Sequence, residues 1–270
     1  MIYLLIIIAV LIIFYIYAIS GREGFADFSE FKKVRFAHRG LHGNGVPENS
    51  LWAFKRALDK GYGSELDIHL LADGELAVIH DHSLKRTALR DINIEDLTLE
   101  ELGNYFLEGT TEKIPTLKEV LDLYDGKLPL IIELKSTADN VEKLCLNTAY
   151  LLKSYKGKYC VESFDPRCVK WFKKHSPQII RGQLSQNYFK AKNNKFSFFI
   201  KIVMTNLLTN FLTKPDFVAY RFDDRNCLSF KICTRLHKLQ GVGWTIRGEQ
   251  NIVLAEKENI IPIFEQKKAV

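Results

Sequence analysis

The sequence predicts a (β/α)8 barrel of parallel strands, a TIM barrel, with a small insertion and one membrane-spanning helix before it. Short apolar runs rich in β-branched and aromatic residues alternate with helical stretches, which is the pattern of strand–helix units around a parallel sheet. Reactive side chains follow the ends of several runs, where a barrel places its active site. An open doubly wound sheet has the same local pattern and is the alternative fold.

The N-terminal segment, residues 1–20, reads MIYLLIIIAVLIIFYIYAIS and contains no charged side chain. It is apolar enough to cross a hydrocarbon core about 30 Å thick. A cleaved secretory signal is the alternative, because residues 18–20 resemble a small-residue cleavage site. No basic segment precedes the apolar run, however, and the run is longer than a usual signal core. We therefore expect residues 1–20 to form an anchor, 21–33 a linker and 34–270 the barrel.

Charge and cysteine usage indicate on which side of the membrane the barrel lies. Basic residues follow the anchor but do not precede it, and this asymmetry places the main domain in the cytoplasm of a single-pass protein of the cell membrane. The five cysteines lack the C-x-x-C spacing of zinc or redox sites, which favours reduced thiols. The formal net charge of +6 is modest, and no motif for nucleic acid is present.

Eight apolar runs are predicted to form the barrel strands. They are Val34–His38, Glu65–Leu70, Leu130–Leu134, Tyr159–Ser163, Ile179–Leu184, Phe217–Phe222, Val242–Ile246 and Ile260–Glu265. A further run, Leu76–His80, is separated from the second strand by a turn of three residues. Such a turn is too short for a helical crossover, so we interpret this run as a hairpin excursion from the barrel.

Three carboxylates interrupt strands that are otherwise apolar. Glu65 and Asp67 alternate along the second strand and therefore point to the same side, and Glu133 lies in the run LPLIIEL. A single acidic residue at a strand end is usually solvated. Within apolar strands an unpaired carboxylate would be costly to bury, so a nearby cation is expected. Three oxygen donors without a thiolate favour Mg²⁺ or Ca²⁺ rather than zinc.

The order of these residues resembles that of the glycerophosphodiester phosphodiesterase family, whose members are barrel enzymes similar to phospholipase C. The resemblance covers nearly all of the chain after the anchor and identifies it as a membrane-anchored member of bacterial type. It rests on His38-Arg39, Pro47-Glu48-Asn49-Ser50, Glu65-x-Asp67, His80-Asp81, Ile114-Pro115-Thr116-Leu117, Glu133-Leu134-Lys135, Ser163-Phe164 and Trp244-Thr245. Residues 82–113 then resemble the small insertion that follows the His-Asp pair in this family.

This resemblance implies a metal-dependent phosphodiesterase that releases glycerol phosphate, or another phosphate monoester, from glycerophosphodiesters or lysophospholipids. Glu65, Asp67 and Glu133 would hold the divalent metal ion, which acts as a Lewis acid on the phosphate. His38 and His80 would act as general acid and base, in an order that the sequence does not assign.

Other residues are implied to bind the substrate. Arg39 and Lys135 would place positive charge beside the phosphoryl group, and Trp244 would contact the substrate. Glu48 fits two roles, the start of the first barrel helix and the orientation of His38 or Arg39.

The chain departs from the family pattern at two places. Arg247 stands where the family has an amide, which bears on recognition of the alcohol end of the substrate. Glu265 stands near the usual terminal acid and either replaces it or caps the barrel. His42, in a glycine-flanked loop outside the family pattern, is interpreted as an ordinary loop residue.

Residues 189–212 mix basic and apolar side chains and are a candidate lipid contact. They read FKAKNNKFSFFIKIVMTNLLTNFL, with lysines at Lys190, Lys192, Lys195 and Lys201. Such a segment either lies in a lipid interface or is an ordinary outer helix of the barrel. Two alternative functions remain at this point. One is a phospholipase-type barrel acting on intact phospholipids, and the other is a non-catalytic lipid-binding protein.

Overall fold

The computed structural model describes residues 1–107, 109–191 and 195–266. The strands are β1 (Phe36–His38), β2 (Gly63–Leu70), β3 (Leu76–Val78), β4 (Leu130–Leu134), β5 (Tyr159–Ser163), β6 (Arg181–Ser185), β7 (Phe217–Arg221), β8 (Gln240–Arg247) and β9 (Ile260–Glu265). The helices are α1 (Ile2–Ala18), α2 (Ser29–Lys32), α3 (Leu51–Asp59), α4 (Leu99–Leu102), α5 (Leu117–Tyr124), α6 (Val141–Leu152), α7 (Pro166–His175), α8 (Phe198–Thr205), α9 (Asn210–Thr213), α10 (Leu228–Lys231) and α11 (Glu249–Lys257).

All strands except β3 form a closed parallel barrel. β1 pairs in parallel with both β2 and β9, which joins the two ends of the strand order and closes the sheet. β3 pairs antiparallel to β2, with Ile68 opposite Val78, and lies outside the barrel. The predicted barrel and hairpin excursion are therefore confirmed, and the open sheet is excluded because β1 connects both edges.

Alternation along the strands separates the barrel interior from the helix-facing surface. Side chains such as Ile132 and Val161 pack outward in a cluster that includes residues of α5, α6 and α7. Inside the barrel Phe36, Ile131 and Cys160 form an apolar layer. On β1, β4 and β5, the next interior position lies two residues further toward the carboxyl end and holds a polar or charged side chain. The apolar layer therefore lies directly beneath the reactive side chains.

The region between α1 and β1 packs against the opening of the barrel at the amino ends of the strands. Phe31 in α2 is buried, and its ring stacks on that of Phe36 with the centroids 6.0 Å apart. The rings of Phe28 and Phe217 pack edge to face, with their centroids 5.9 Å apart. Residues predicted as a linker thus contribute to the core of the barrel, and the domain boundary at residue 34 stays a prediction.

Helix α1 is exposed over most of its length and touches the barrel only at its carboxyl end. Ala18 and Ile19 are buried, Asn210 Nδ2 donates to the carbonyl of Ile19 at 3.0 Å, and the carbonyl of Ile16 lies 2.9 Å from His237 Nε2. Across residues 1–107, 109–191 and 195–266, no helix has both the length and the apolarity that a membrane span needs. The membrane-spanning helix stays a prediction.

Two surface segments border the carboxyl ends of the strands. The described residues of the insertion, 82–107 and 109–113, pack a small apolar cluster, including Leu84 and Ile94, against β3 and the chain beside it. Helix α8 carries the exposed Phe198 and Phe199, and part of its other side faces the barrel. Lys192 of the predicted basic segment lies outside the described residues. All five cysteines are free thiols.

Candidate active site

Strand register brings the three predicted carboxylates together inside the barrel. Asp67 of β2 is opposite Glu133 of β4, and Glu65 lies two residues before Asp67 on the same side of β2. Each carboxylate contributes one oxygen atom to a set of three that all lie within 4.8 Å of one another. All three residues are buried, with exposed fractions of 6% or less. The spacing therefore permits a single metal ion to contact all three side chains.

Mutual repulsion and burial act strongly on these carboxylates. Burial and the charges of Asp67 and Glu133 raise the pKa of Glu65 well above its ordinary value. Burial likewise raises the pKa of Glu133 to about 7, although Lys135 opposes the shift. Burial would also raise the pKa of Asp67, but Lys135, His80 and Arg39 outweigh it and lower that pKa well below its ordinary value. Asp67 is therefore the carboxylate that remains charged most firmly.

Two cations partly neutralise the cluster. Lys135 Nζ lies 2.6 Å from Glu133 Oε1 and 3.0 Å from Asp67 Oδ1. Burial alone would lower the pKa of Lys135, but these two carboxylates raise it. Arg39 Nε lies 3.2 Å from Asp67 Oδ2, and the backbone N–H of Arg39 donates to Glu65 Oε2 at 3.1 Å. That backbone contact uses a left-handed conformation of Arg39, with φ 54°.

A polar network outside the carboxylate cluster holds Arg39. Glu48 Oε1 accepts from Arg39 Nη1 at 2.9 Å and from Arg86 Nη2 at 2.6 Å. Asn49, the next residue, donates from Nδ2 to Asp67 Oδ2 at 2.9 Å. Helix α3 begins only after these two, where the Ser50 side chain accepts from the backbone N–H of Ala53. The Pro47–Ser50 turn thus combines a helix cap with contacts to the site.

The two predicted catalytic histidines flank the carboxylates from different elements. His38 ends β1 opposite Glu65, and its Nε2 lies 3.9 Å from Glu65 Oε2. His80 follows β3, and its Nδ1 lies 2.6 Å from Asp81 Oδ1. Burial lowers the pKa of both, and the neighbouring Arg39 lowers that of His38 further, to well below its ordinary value. Both rings are therefore neutral at neutral pH and able to accept a proton.

The remaining predicted residues lie at the rim of the barrel. Trp244 packs edge to face on Phe164, with centroids 5.4 Å apart, and Phe164 lies 6.0 Å below Lys135 Nζ. Arg247 is more than half exposed and forms an ion pair with Glu265. Glu265 also lies 3.7 Å from His42 Nε2, so these three residues form a polar cluster at the end of β9.

Sequence reasoning missed a fourth buried carboxylate. Glu162 of β5 is opposite Glu133 and is 2% exposed. Burial, and then the charge of Glu133, raise its pKa well above the ordinary value. Within the described part of the chain its Oε2 has no hydrogen-bond partner. The signal was available, because Glu162 interrupts the apolar run YCVES in the way that Glu133 interrupts its own strand.

The arrangement fits a hard divalent cation. Three buried carboxylates that repel one another offer only oxygen donors, and such a set suits Mg²⁺ or Ca²⁺. A bound ion would offset the repulsion that raises the pKa values of Glu65 and Glu133. Beside the carboxylates lies a cavity of about 510 Å³, lined on one side by Glu133 and Lys135 and on the other by apolar side chains.

Comparisons with known proteins agree with this geometry. The model of the glycerophosphoryl diester phosphodiesterase family matches residues 38–265. A glycerophosphodiester phosphodiesterase of Caldanaerobacter subterraneus is 38% identical over 165 residues, which cover 57% of this chain and 68% of that protein. A lysophospholipase D of Rattus norvegicus is 34% identical over 146 residues, 47% of this chain and 45% of that protein.

Solved structures share the barrel. A phosphodiesterase of Oleispira antarctica, in complex with the product sn-glycerol-3-phosphate, superposes with a TM-score of 0.70 at 22% identity and covers 86% of this chain and 92% of its own. A glycerophosphodiester phosphodiesterase of Thermotoga maritima gives a TM-score of 0.63 at 24% identity, over 86% and 94%. Because the family model covers most of the chain and both histidines and all three carboxylates, the chain belongs to the glycerophosphoryl diester phosphodiesterase family and is a phosphoric diester hydrolase.

Proposed function

We propose that this enzyme hydrolyses glycerophosphodiesters, including lysophospholipids, with a divalent metal ion held by Glu65, Asp67 and Glu133. The observation that carries the proposal is the convergence of these three buried carboxylates with Arg39 and Lys135 at the carboxyl ends of the strands. The bound ion would supply Lewis-acid and charge-neutralising help to the phosphate. Arg39 and Lys135 would add fixed positive charge to the same group.

The histidines divide the proton transfers between them. Asp81 accepts from His80 Nδ1, which leaves Nε2 of His80 as the nitrogen that exchanges a proton with substrate or water. His38 is held less closely, because the nearest carboxylate oxygen with which it pairs among the described residues is Glu65 Oε2, 3.9 Å from its Nε2. We infer that His80 takes up a proton at Nε2 when the anionic phosphate binds, since Asp81 stabilises its imidazolium, and that this imidazolium protonates the leaving alkoxide. His38 stays neutral and accepts the proton of the attacking hydroxyl or water.

The apolar side of the cavity supports substrates with a hydrocarbon portion. It is lined by Phe164, Tyr188, Phe196, Ile200 and Met204. A small headgroup such as choline would leave these side chains facing water, whereas an acyl chain would cover them. The relative from Rattus norvegicus is a lysophospholipase D, which agrees with this substrate class.

A substrate panel tests the proposal. Glycerophosphocholine, glycerophosphoethanolamine and lysophosphatidylcholine would be supplied with Mg²⁺, with Ca²⁺ and with a chelator, and the products identified by mass. Release of a phosphate monoester that chelation abolishes is expected. Unchanged rates in the chelator would refute metal dependence, and release of diacylglycerol from added phosphatidylcholine would favour the phospholipase alternative.

Two variants separate the two substrate types. Ile200 is 42% exposed in the cavity wall and would be covered by the acyl chain, so Ile200→Asn is expected to lower the ratio of lysophospholipid to glycerophosphocholine turnover by about tenfold, since burying an unpaired amide costs roughly 1–3 kcal/mol. Leu146→Asn, at an exposed position of α6 that does not line the cavity, is the matched control and leaves the ratio unchanged. Equal ratios in both variants would exclude the acyl-chain assignment.

We also propose that the protein associates with the cell membrane through α1, with the barrel on the cytoplasmic side. The support is the almost entirely exposed apolar surface of residues 2–14. Exposed Phe198 and Phe199 on α8 would add a second contact with lipid and would place the apolar side of the cavity near its substrate.

A further inference from the structure

A second group of potential metal ligands lies outside the carboxylate cluster. It joins His69 of β2 to His82 and Glu95 of the insertion. One ligand atom from each lies within 4.8 Å of the others. His69 is fully buried, Glu95 is partly buried, and His82 is exposed at the edge of the cavity that also contains Glu133 and Lys135.

The three side chains converge on one point. Glu95 Oε1 lies 2.7 Å from His69 Nδ1 and 2.6 Å from His82 Nδ1. The two rings meet edge to face, with centroids 4.9 Å apart, so both Nδ1 atoms are directed to the same carboxylate oxygen. Two imidazoles and one carboxylate with a remaining open side form the donor set of many zinc sites.

The second nitrogen of His69 gives an independent indication. Nε2 of His69 lies 3.2 Å from the backbone carbonyl of His80. A carbonyl only accepts, so Nε2 donates in this contact, and Nδ1 is the nitrogen that faces Glu95 and the candidate site. Metal-bound histidines usually donate their other N–H to a carbonyl or carboxylate in this way.

We propose that His69, His82 and Glu95 bind a zinc ion, or a transition metal of similar preference, at a site separate from the hard-ion site of the three carboxylates. The chemistry of the donors distinguishes the two sites, because imidazole nitrogen favours zinc whereas an all-oxygen set favours Mg²⁺ or Ca²⁺. The ion joins the insertion to β2 and fixes the ring that contacts the His80 backbone. The effect of this positioning on catalysis rests on the proposed function of His80. The proposed binding of zinc does not depend on that function.

Competition binding on the full chain tests the site without reference to activity. Protein stripped by a chelator would be titrated with Zn²⁺ against a chromophoric competitor in excess Mg²⁺, which occupies the carboxylate site. Tight binding of one equivalent of Zn²⁺ is expected. His82→Ala should weaken it more than about tenfold, since even residues that only support a ligand cost about 10–100-fold. His175→Ala, an exposed histidine on α7, is the matched control and should bind as the wild type does.

Two further readouts keep the proposal open to refutation. Co²⁺ in place of Zn²⁺ should give the visible absorption of a nitrogen-ligated site in the wild type, and Glu95→Gln should reduce that absorption. Absence of Zn²⁺ binding by the wild type in excess Mg²⁺ would mean that Glu95 only bridges the two histidines. Equal Zn²⁺ affinities in the wild type and His82→Ala, or equal losses in His82→Ala and His175→Ala, would also overturn the site.

Discussion

Asp67 has more polar contacts than the other carboxylates of the site. Arg39, Lys135 and Asn49 all approach its two oxygens, at 3.2, 3.0 and 2.9 Å. These contacts compensate for its complete burial, and they hold it in the charged form that a metal ion needs. Asp67 in turn compensates part of the charge of both cations, beside Glu48 for Arg39 and Glu133 for Lys135.

Replacement of Asp67 should therefore affect both activity and stability. We expect Asp67→Asn to lower kcat/KM by about 100-fold or more, because a metal ion contributes several kcal/mol and each 1.36 kcal/mol is tenfold. Loss of one partner of a buried ion pair should lower the free energy of unfolding by about 3–5 kcal/mol. Urea unfolding and phosphate-monoester release measure the two effects. Asp122→Asn, in an exposed pair with Lys118, is the control and should change neither appreciably.

Asn49 is a second residue whose replacement has a calculable cost. It is buried, has φ 55° and donates to Asp67. Asn49→Ala should lower the free energy of unfolding by about 2.5–5 kcal/mol, of which about 1.5–3 comes from the hydrogen bond to a charged group and about 1–2 from the left-handed backbone.

Matched variants divide that cost. Asn49→Gly keeps the backbone freedom and should lose only the hydrogen-bond part. Asn44→Ala, at an exposed position with φ 53°, should lose only the backbone part. If Asn49→Ala cost no more than Asn44→Ala in urea unfolding, the contact with Asp67 would be without energetic importance.

Residues of the site could be predicted where burial conflicts with charge inside a single strand. Glu65, Asp67 and Glu133 follow this rule, and Glu162 follows it too, although only the structure drew attention to it. Arg86 gave no such signal, because its partner Glu48 lies 38 positions away and both segments are irregular. The distances between loops depend on tertiary packing, which local sequence does not encode.

At the scale of elements, the insertion is held to β2 by a carboxylate whose charge depends on pH. Burial would raise the pKa of Glu95, but hydrogen bonds from His69 and His82 lower it to about 2. The same contact raises the pKa of His82. The Glu95 contribution to stability is therefore present above the unfolded pKa of about 4.5 and is lost as the pH falls toward 2. The His82 contribution is present below about pH 6.5 and is lost as the pH rises through its raised pKa.

Because one contribution is lost at low pH and the other at high pH, the stabilising effect of Glu95 should pass through a maximum as the pH changes. In the presence of a chelator, the difference in free energy of unfolding between the wild type and Glu95→Gln should be largest between about pH 4.5 and 6.5. It should decrease at pH 3 and again at pH 8.5. Urea unfolding at these values measures the difference, and Glu100→Gln, an exposed residue of α4, is the control. A difference that does not change with pH would contradict the contact.

The strands were the most predictable elements. β4, β5 and β9 begin and end at the predicted residues, because apolar β-branched runs bounded by turns mark them locally. β1 is shorter than predicted and begins at Phe36, since parallel pairing with Gly63 and Ile263 starts only there. The insertion was recognised by its position and its lack of a strand, but its docking through Glu95 was not predictable from any local pattern.

For the whole molecule, sequence periodicity indicated the number of strands but not whether the sheet closes. An open sheet and a barrel share the same strand–helix units, and the pairing between β1 and β9 is what closes this sheet. Closure brings the ends of distant strands around one axis. His38, Asp67 and Glu133 meet because β1 pairs with β2 and β2 pairs with β4, although 95 positions separate the first from the last. The sequence features that favoured closure were the count of eight strands, the reactive residues at strand ends and the resemblance to a family of barrel enzymes.

The attachment of α1 leads to a last prediction about the whole chain. Residues 2–14 are almost entirely exposed, whereas Ile19 is buried and its carbonyl accepts from Asn210. Removal of residues 1–14 should therefore leave the unfolding midpoint and the turnover of glycerophosphocholine unchanged. Removal of residues 1–20 should lower the free energy of unfolding by about 2.5–4 kcal/mol, because an isoleucine side chain contributes about 1.5–3 when buried and one hydrogen bond about 1.

The same truncations decide whether α1 binds lipid. The full chain should sediment with vesicles that contain anionic phospholipid. The chain without residues 1–14 should remain in the supernatant, and its sedimentation would mean that α8 suffices for binding. Phe198→Ser with Phe199→Ser in the truncated chain removes the exposed aromatic rings of α8 and tests that contribution. If the chain without residues 1–14 and with both substitutions still sedimented as the full chain does, neither α1 nor the exposed rings of α8 would be required for binding to vesicles, and the proposed membrane contact would be wrong.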